Sequence, residues 1–139
     1  MKRVLSIFSA MVLSLAMMGL ATAEDKTSPE AVAGATTVDT AKAKELFDRG
    51  VVFVDVRSNK DWDAGRIPGA EHLELKSNYS EASLSGVAGK DKEVVLYCNG
   101  HKCLRSAEAS EMAAAWGFKK IYYYRDGFPA WQGAGYPVE

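Results

Sequence analysis

The chain has 139 residues, of which 47% are hydrophobic and 25% are charged, and its formal net charge is −1. This is the composition of a folded globular protein and not of a disordered chain. It lacks the basic excess with which proteins bind nucleic acid or anionic membranes, so we expect neither as a partner.

The first residues have the pattern of a secretory signal peptide. Lys2 and Arg3 are basic, residues 4–20 are mainly apolar, and Ala21-Thr22-Ala23 is a small-residue cleavage site. A retained membrane anchor is the alternative, but the apolar run is at the short end for a bilayer span. We therefore interpret residues 1–23 as a signal peptide. Without them the chain keeps 15 basic and 18 acidic residues, a net charge of −3, and we expect the mature protein in the periplasm without a membrane contact.

The rest of the chain divides into a leader and one domain. Residues 24–37 have no apolar period, and we interpret them as a flexible leader. Residues 38–139 suffice for one small hydrophobic core and not for two domains.

The first half of this domain predicts a helix followed by a strand. Asp39 is a suitable N-cap for a helix that ends at Gly50. The run Val51 to Val56 is apolar and β-branched, which is typical of a strand covered on both faces. Beyond it we predict a helical turn at 61–64 and an extended segment at 72–75. Residues 76–91 are predicted to be mostly loop, with one helical turn near 82–84.

The second half repeats the alternation. Residues 94–97 predict a buried strand, and residues 107–116 an Ala-rich helix. Residues 120–124 predict another strand, and residues 127–135 carry Trp131 on a last short helix. Strands alternating with helices predict an α/β fold with a small, mainly parallel sheet flanked by helices.

Cys98 lies where a predicted strand ends and a loop enters a helix. Backbone N–H groups at such a place point at an anion, and the helix dipole favours negative charge there. A thiol at this position should have a pKa below the roughly 8.5 of a free cysteine, which makes Cys98 a candidate nucleophile. The loop residues expected to surround a bound anion are Asn99, Gly100, His101, Lys102, Cys103, Leu104 and Arg105.

Several short motifs follow one another in a fixed order along the chain. They are Asp55-Val56-Arg57, Asp61-Trp62, Gly65-Arg66-Ile67-Pro68-Gly69-Ala70, the Cys98 loop ending in Arg105-Ser106, and Gly127-Phe128-Pro129-Ala130-Trp131. In this order and spacing they resemble the single-domain rhodaneses, over residues 38–139.

The resemblance implies a rhodanese fold and a sulfurtransferase that needs no cofactor or metal. Cys98 would take sulfane sulfur as a persulfide from thiosulfate, polysulfide or a persulfide donor, and would pass it to a thiol or cyanide-like acceptor. Asp55, Arg57 and Asp61 resemble the scaffold charges of the family, and Arg105 would contact the anionic donor.

The loop is longer than the resemblance leads one to expect. Six residues separate Cys98 from Arg105, whereas typical rhodaneses have four and their phosphatase-like relatives five. The Tyr-Cys-Asn-Gly sequence with a second cysteine is similar to a subset of exported rhodanese-like proteins.

Cys103 leaves several functions open. It would be a resolving thiol for Cys98, a small hydrophobe at the start of the helix, or half of a structural disulfide, although so small a ring restricts the unfolded chain little. A periplasmic thiol–disulfide redox protein using both cysteines is therefore one alternative function. A non-catalytic sulfur carrier that presents its cargo to a partner protein of the envelope is the other.

Overall fold

A computed structural model describes residues 26–139. The five strands are β1 (Ala35–Thr37), β2 (Val52–Asp55), β3 (Glu71–His72), β4 (Glu93–Tyr97) and β5 (Lys120–Tyr124). The five helices described are α1 (Thr40–Asp48), α2 (Asn59–Ala64), α3 (Glu81–Val87), α4 (Arg105–Ala115) and α5 (Gly127–Gly133). The segment interpreted as a signal peptide, residues 1–23, lies outside the described residues. Between residues 26 and 139 no helix is long and apolar enough to cross a bilayer.

The strands form one sheet in the order β1-β5-β4-β2-β3, and every pair in it is parallel. Parallel strands need crossover connections, and here helices supply them. The predicted α/β fold with a parallel sheet flanked by helices is thus confirmed. Because β4 is the central strand, its carboxyl end, where Cys98 follows, lies in the middle of one edge of the sheet.

The sheet is covered on both faces. On β4, Val94 and Leu96 belong to one hydrophobic cluster, and Val95 and Tyr97 to the other, as the alternation of side chains along a strand requires. All four are fully buried. The second cluster is centred on Trp131, whose indole lies edge-on to two phenylalanine rings at 5.2 and 6.0 Å.

The segment interpreted as a flexible leader is instead part of the fold, at least from residue 26 onward. Its residues 35–37 form β1, which pairs with residues 121–123 of β5. Val32 is only 5% exposed and packs against Ala107 and Tyr123. Over residues 26–37 the prediction of a leader is wrong, because this segment has no period of its own and gains its structure from partners distant in sequence.

The region between β3 and β4 is more helical than predicted. α3 extends the single expected turn, and it begins with a capping box in which Ser80 and Ser83 bond to each other's backbone N–H groups at 3.1 and 2.8 Å. Leu84 is fully buried on its inner face. The extended segment predicted at 72–75 is shorter in the structure, where β3 ends at His72.

Candidate active-site loop

Cys98 leaves the carboxyl end of β4 and is 1% exposed. The loop after it enters α4 at Arg105, two residues before the predicted start of this helix at residue 107. Leu104, the residue before this helix, has no polar side chain with which to cap the first N–H groups. In the first turn the hydroxyl of Ser106 is enclosed and has no hydrogen-bond partner in the described part of the chain. Donors at this helix start are therefore available to an anion on Cys98.

The two cysteines are joined to each other by a disulfide. Their Cα atoms are 6.3 Å apart. The backbone N–H of Cys103 donates to the carbonyl of Gly100 at 3.0 Å, so the loop turns back on itself. Cys103 is half-buried and packs against the hydrophobic cluster that contains Cys98. Cys103 is thus bonded to the candidate nucleophile. Neither the spacing of the two cysteines nor the composition of the chain establishes this bond.

A buried ion pair between Arg57 and Asp55 is connected to the loop. Arg57 is 3% exposed and Asp55 fully buried, and the guanidinium Nη2 lies 2.7 Å from the carboxylate. Arg57 Nε donates to the same carboxylate at 3.0 Å, and Nη2 donates to the carbonyl of Gly65 at 2.6 Å. Burial lowers the pKa of Arg57, but the bonds to Asp55 outweigh it and hold that pKa above its ordinary value.

Asn99 connects this pair to the loop. Its side-chain oxygen accepts from Arg57 Nη1 at 3.1 Å, and its side-chain nitrogen donates to Asp61 at 2.9 Å. The structure therefore joins the three predicted scaffold charges in one network with the residue next to Cys98. Arg57 and Asp61 hold the side chain of Asn99, and they thereby fix the direction of the chain after Cys98.

The start of α5 also contacts the loop. Gly127 has a φ of +67°, and a Cβ built on it would overlap the carbonyl of Cys98 and the nitrogen of Gly100, the latter at 2.7 Å. The N–H of Phe128 donates to the carbonyl of Cys98 at 2.9 Å. Gly100 itself has a φ of +102°, a backbone conformation that favours glycine. The sequence marked Gly127 only as part of a motif, and the contact between backbones was not foreseeable from it.

Arg105 makes a contact that the sequence does not predict. Its guanidinium Nη1 lies 3.7 Å from a carboxylate oxygen of Glu74, and both side chains are largely enclosed. This distance is too long for a hydrogen bond, and Nη1 makes none within the described residues. Nη1 can therefore still donate a hydrogen bond to another group. The contact of Arg105 with an anionic sulfur donor stays a prediction.

The outer residues of the loop are exposed. His101 lies 2.6 Å from Asp126 through its Nε2, and both are accessible to solvent. Lys102 is exposed as well, and Leu104 is 39% exposed. Such groups can meet a substrate or partner at the surface, whereas Cys98 is 1% exposed in the disulfide-bonded form.

The sequence profile of the rhodanese-like domain matches residues 39–134. The chain belongs to that family. Thiosulfate sulfurtransferase GlpE of Pseudomonas savastanoi pv. phaseolicola is 34% identical over 98 residues, which are 70% of this chain and 87% of that protein. A tRNA uridine(34) hydroxylase of Buchnera aphidicola subsp. Schizaphis graminum is 34% identical over 92 residues, 59% of this chain but only 27% of that protein. The chain thus spans about a quarter of that relative's length.

The rhodanese-like fold is also that of solved structures. The polysulfide-sulfur transferase homodimer of Wolinella succinogenes superimposes with a TM-score of 0.62, at 23% identity, over 77% of this chain and 80% of that one. A likeness at this identity shows the fold alone. The resemblance to the rhodaneses that the motifs indicate is confirmed.

An N-terminal segment outside the matched residues reaches the loop of this rhodanese-like domain. The N–H of Ser28 donates to the carbonyl of His101 at 2.6 Å. Arg125 holds Ser28 in place, donating to its carbonyl at 2.8 Å and to its hydroxyl at 3.2 Å. The hydroxyl of Tyr123 donates to the carbonyl of Pro29 at 2.9 Å. The segment therefore braces the loop at His101.

Arg125→Met is expected to loosen this segment without unfolding the domain. The change removes two hydrogen bonds from a cation, and we expect local opening of residues 26–34 to become easier by about 1–2 kcal/mol. Amide hydrogen exchange of residues 26–34 measures it, with an acceleration of about tenfold expected. Lys119→Met, which removes an exposed ion pair with Asp91, is the matched control. Equal exchange in the two variants would contradict the bracing function.

Proposed function

We propose that this protein is a sulfurtransferase that carries sulfane sulfur as a persulfide on Cys98. The position of Cys98 supports this most directly, because it places a buried thiol at the centre of the sheet edge, before a helix start with unoccupied donors. Membership of the rhodanese-like family and the similarity to thiosulfate sulfurtransferase relatives support it further.

The reaction begins with the disulfide reduced. The Cys98 thiolate attacks the sulfane sulfur of the donor, and the sulfur–sulfur bond of the donor breaks. From thiosulfate the leaving group is sulfite, and from polysulfide it is a shorter polysulfide. The product Cys98–S–S⁻ carries a negative charge that backbone N–H groups of the loop and the start of α4 stabilise. A thiol or cyanide then takes the outer sulfur, and the Cys98 thiolate returns.

The surrounding residues have positioning and binding functions in this proposal. Asn99, held by Arg57 and Asp61, fixes the direction of the loop, and Arg105 and Lys102 provide positive charge for an anionic donor. On the basis of residues 1–23 we place the reaction in the periplasm. A protein of the envelope is one class of sulfur acceptor there. This placement is tested by fractionating cells that express the full chain.

The test of the proposal is sulfur loading of a single cysteine. The chain without residues 1–23 is reduced, freed of reductant and incubated with thiosulfate or polysulfide, and its intact mass and peptides are measured. We use Cys103→Ser as the reporter, because it has no second thiol to discharge the persulfide, and we expect one added sulfur on Cys98 that cyanide removes. Cys98→Ser should gain none. Loading on Cys103 in Cys98→Ser to the same extent, or no loading in Cys103→Ser, would contradict the assignment of Cys98.

The disulfide favours a second candidate, a thiol–disulfide redox protein that needs both cysteines. Such a protein would oxidise a dithiol substrate in the absence of any sulfur donor, over many turnovers when reoxidised. Both Cys98→Ser and Cys103→Ser would then be inactive, whereas sulfur transfer to cyanide should survive Cys103→Ser. Comparing the two assays on the two variants separates the candidates.

A further inference from the structure

We propose that Cys103 attacks the Cys98 persulfide, which releases the sulfane sulfur as hydrosulfide and leaves the disulfide seen in the structure. The protein would then be a dithiol-dependent sulfane-sulfur reductase, in addition to a sulfurtransferase. This inference rests on the proposed function, because Cys98 must first carry sulfur.

The observation that carries the inference is the difference in access to the two sulfurs. Cys98 is 1% exposed in the disulfide-bonded form, and Tyr97 before it is buried too. Cys103 is partly exposed and is bonded to Cys98 with only four residues between them. An external thiol must reach the Cys98 persulfide from solvent, whereas Cys103 is held within bonding distance of Cys98. A group held so close by a short chain has an effective concentration in the millimolar range or above.

The loop is built to keep the two sulfurs together. Its backbone closes through the bond from Cys103 N–H to the carbonyl of Gly100. The carbonyl of Cys98 is fixed by the N–H of Phe128. From the surface side, Ser28 holds the carbonyl of His101. Three backbone hydrogen bonds thus hold the chain from Cys98 to Cys103. Six residues separate Cys98 from Arg105, which is two more than the four that are typical of the family.

The chemistry of the step balances without an external oxidant. The Cys103 thiolate attacks Sγ of Cys98, the bond from Sγ to the outer sulfur breaks, and the electron pair of that bond leaves with the outer sulfur. Hydrosulfide forms, and the proton that Cys103 lost supplies its hydrogen. The two cysteine sulfurs are oxidised to a disulfide, and the sulfane sulfur is reduced by two electrons to sulfide.

The reset needs a reductant, which we assign to the class of dithiols, small or protein-borne. Its first thiolate attacks the sulfur of Cys103, because that sulfur is the accessible one. Cys98 is then the leaving group, and the helix start that stabilises its thiolate favours its departure. The second thiol of the reductant closes its own disulfide and frees Cys103. One turnover converts one sulfane sulfur and one dithiol to sulfide and one disulfide.

A single-turnover experiment tests the release step. Reduced wild-type chain without residues 1–23 is mixed with a limiting amount of polysulfide or thiosulfate, with no thiol present, and sulfide and protein mass are followed together. Polysulfide chemistry alone is subtracted with Cys98→Ser. Wild type should release one equivalent of sulfide as the disulfide forms, at least about tenfold faster than Cys103→Ser. Cys103→Ser should keep its added sulfur until an external thiol or cyanide is added.

The outcomes separate the inference from the proposed function. A wild-type persulfide as long-lived as that of Cys103→Ser, discharged only by added acceptors, would overturn the inference and leave the sulfurtransferase in place. If Cys103→Ser takes up no sulfur, the proposed function fails, and the inference fails with it.

The site of reductant attack is tested on the oxidised wild type. A limiting monothiol, followed by acid quenching and peptide mapping, should give a mixed disulfide on Cys103 in large excess over Cys98. A mixed disulfide mainly on Cys98 would contradict the assigned direction of the reset.

Discussion

Gly127→Ala should lower the free energy of unfolding by about 3 kcal/mol or more and should disrupt sulfur loading in the protein that still folds. Two costs add at this position. The backbone has a φ of +67°, which is strained for alanine, and the new Cβ would overlap the carbonyl of Cys98 and the nitrogen of Gly100. Relief of the overlap must move the loop, because α5 is anchored beyond it by the fully buried Trp131. Chemical denaturation measures the first effect, and the extent of sulfur loading of folded protein measures the second.

Gly135→Ala is the matched control for this variant. Gly135 has a similar φ of +76°, and a Cβ built on it meets nothing within 4 Å among the described residues. It should lose only about 1 kcal/mol, from backbone strain, and keep normal loading. The difference between the variants isolates the close approach of the two backbones. Equal losses of stability in the two, with loading intact in both, would show that the start of α5 does not position the loop.

The elements that the sequence predicts well are those whose pattern is local. β5 is found at the predicted residues, and α1 starts after the predicted cap, where Asp39 accepts from the N–H of Lys42 at 2.8 Å. Both signals need only a few neighbouring residues. β1 has no such signal, because its short polar sequence is ordered by pairing with β5. α3 lacks a long apolar stripe, and tertiary packing of Leu84 extends it beyond the single turn predicted.

The site divides in the same way. The place of Cys98 and the helix start follow from the order of a strand, a loop and a helix. The ion pair of Asp55 and Arg57 is local as well, since the two residues are two positions apart at the end of β2. The bond from Asn99 to Asp61 spans 38 residues, and the pairing of Arg105 with Glu74 depends on how two loops meet. No spacing in a single sequence specifies such contacts.

Arg57→Met should be the most damaging change of a charged residue, lowering the free energy of unfolding by roughly 3–5 kcal/mol. Asp55 is fully buried and would be left without its cation. The carbonyl of Gly65 and the side chain of Asn99 would each lose a donor. Because Asn99 adjoins Cys98, sulfur loading of the folded fraction should also slow. Thermal or chemical unfolding, with loading assayed well below the midpoint, measures both.

Two controls determine whether the buried charge is the cause. Arg49→Met removes an exposed pair, with Glu93 at 3.3 Å, and should change the free energy of unfolding far less than Arg57→Met does. The double change Asp55→Asn with Arg57→Met leaves no charge in the interior and keeps an oxygen to accept from the backbone N–H of residue 57. It should therefore be more stable than Arg57→Met alone. It should still load sulfur slowly, because Asn99 has lost its donor in both variants. If the double variant is as unstable as Arg57→Met, the loss of stability comes from packing and hydrogen bonds and not from the buried charge. If the double variant loads sulfur at the normal rate, Arg57 does not position the loop.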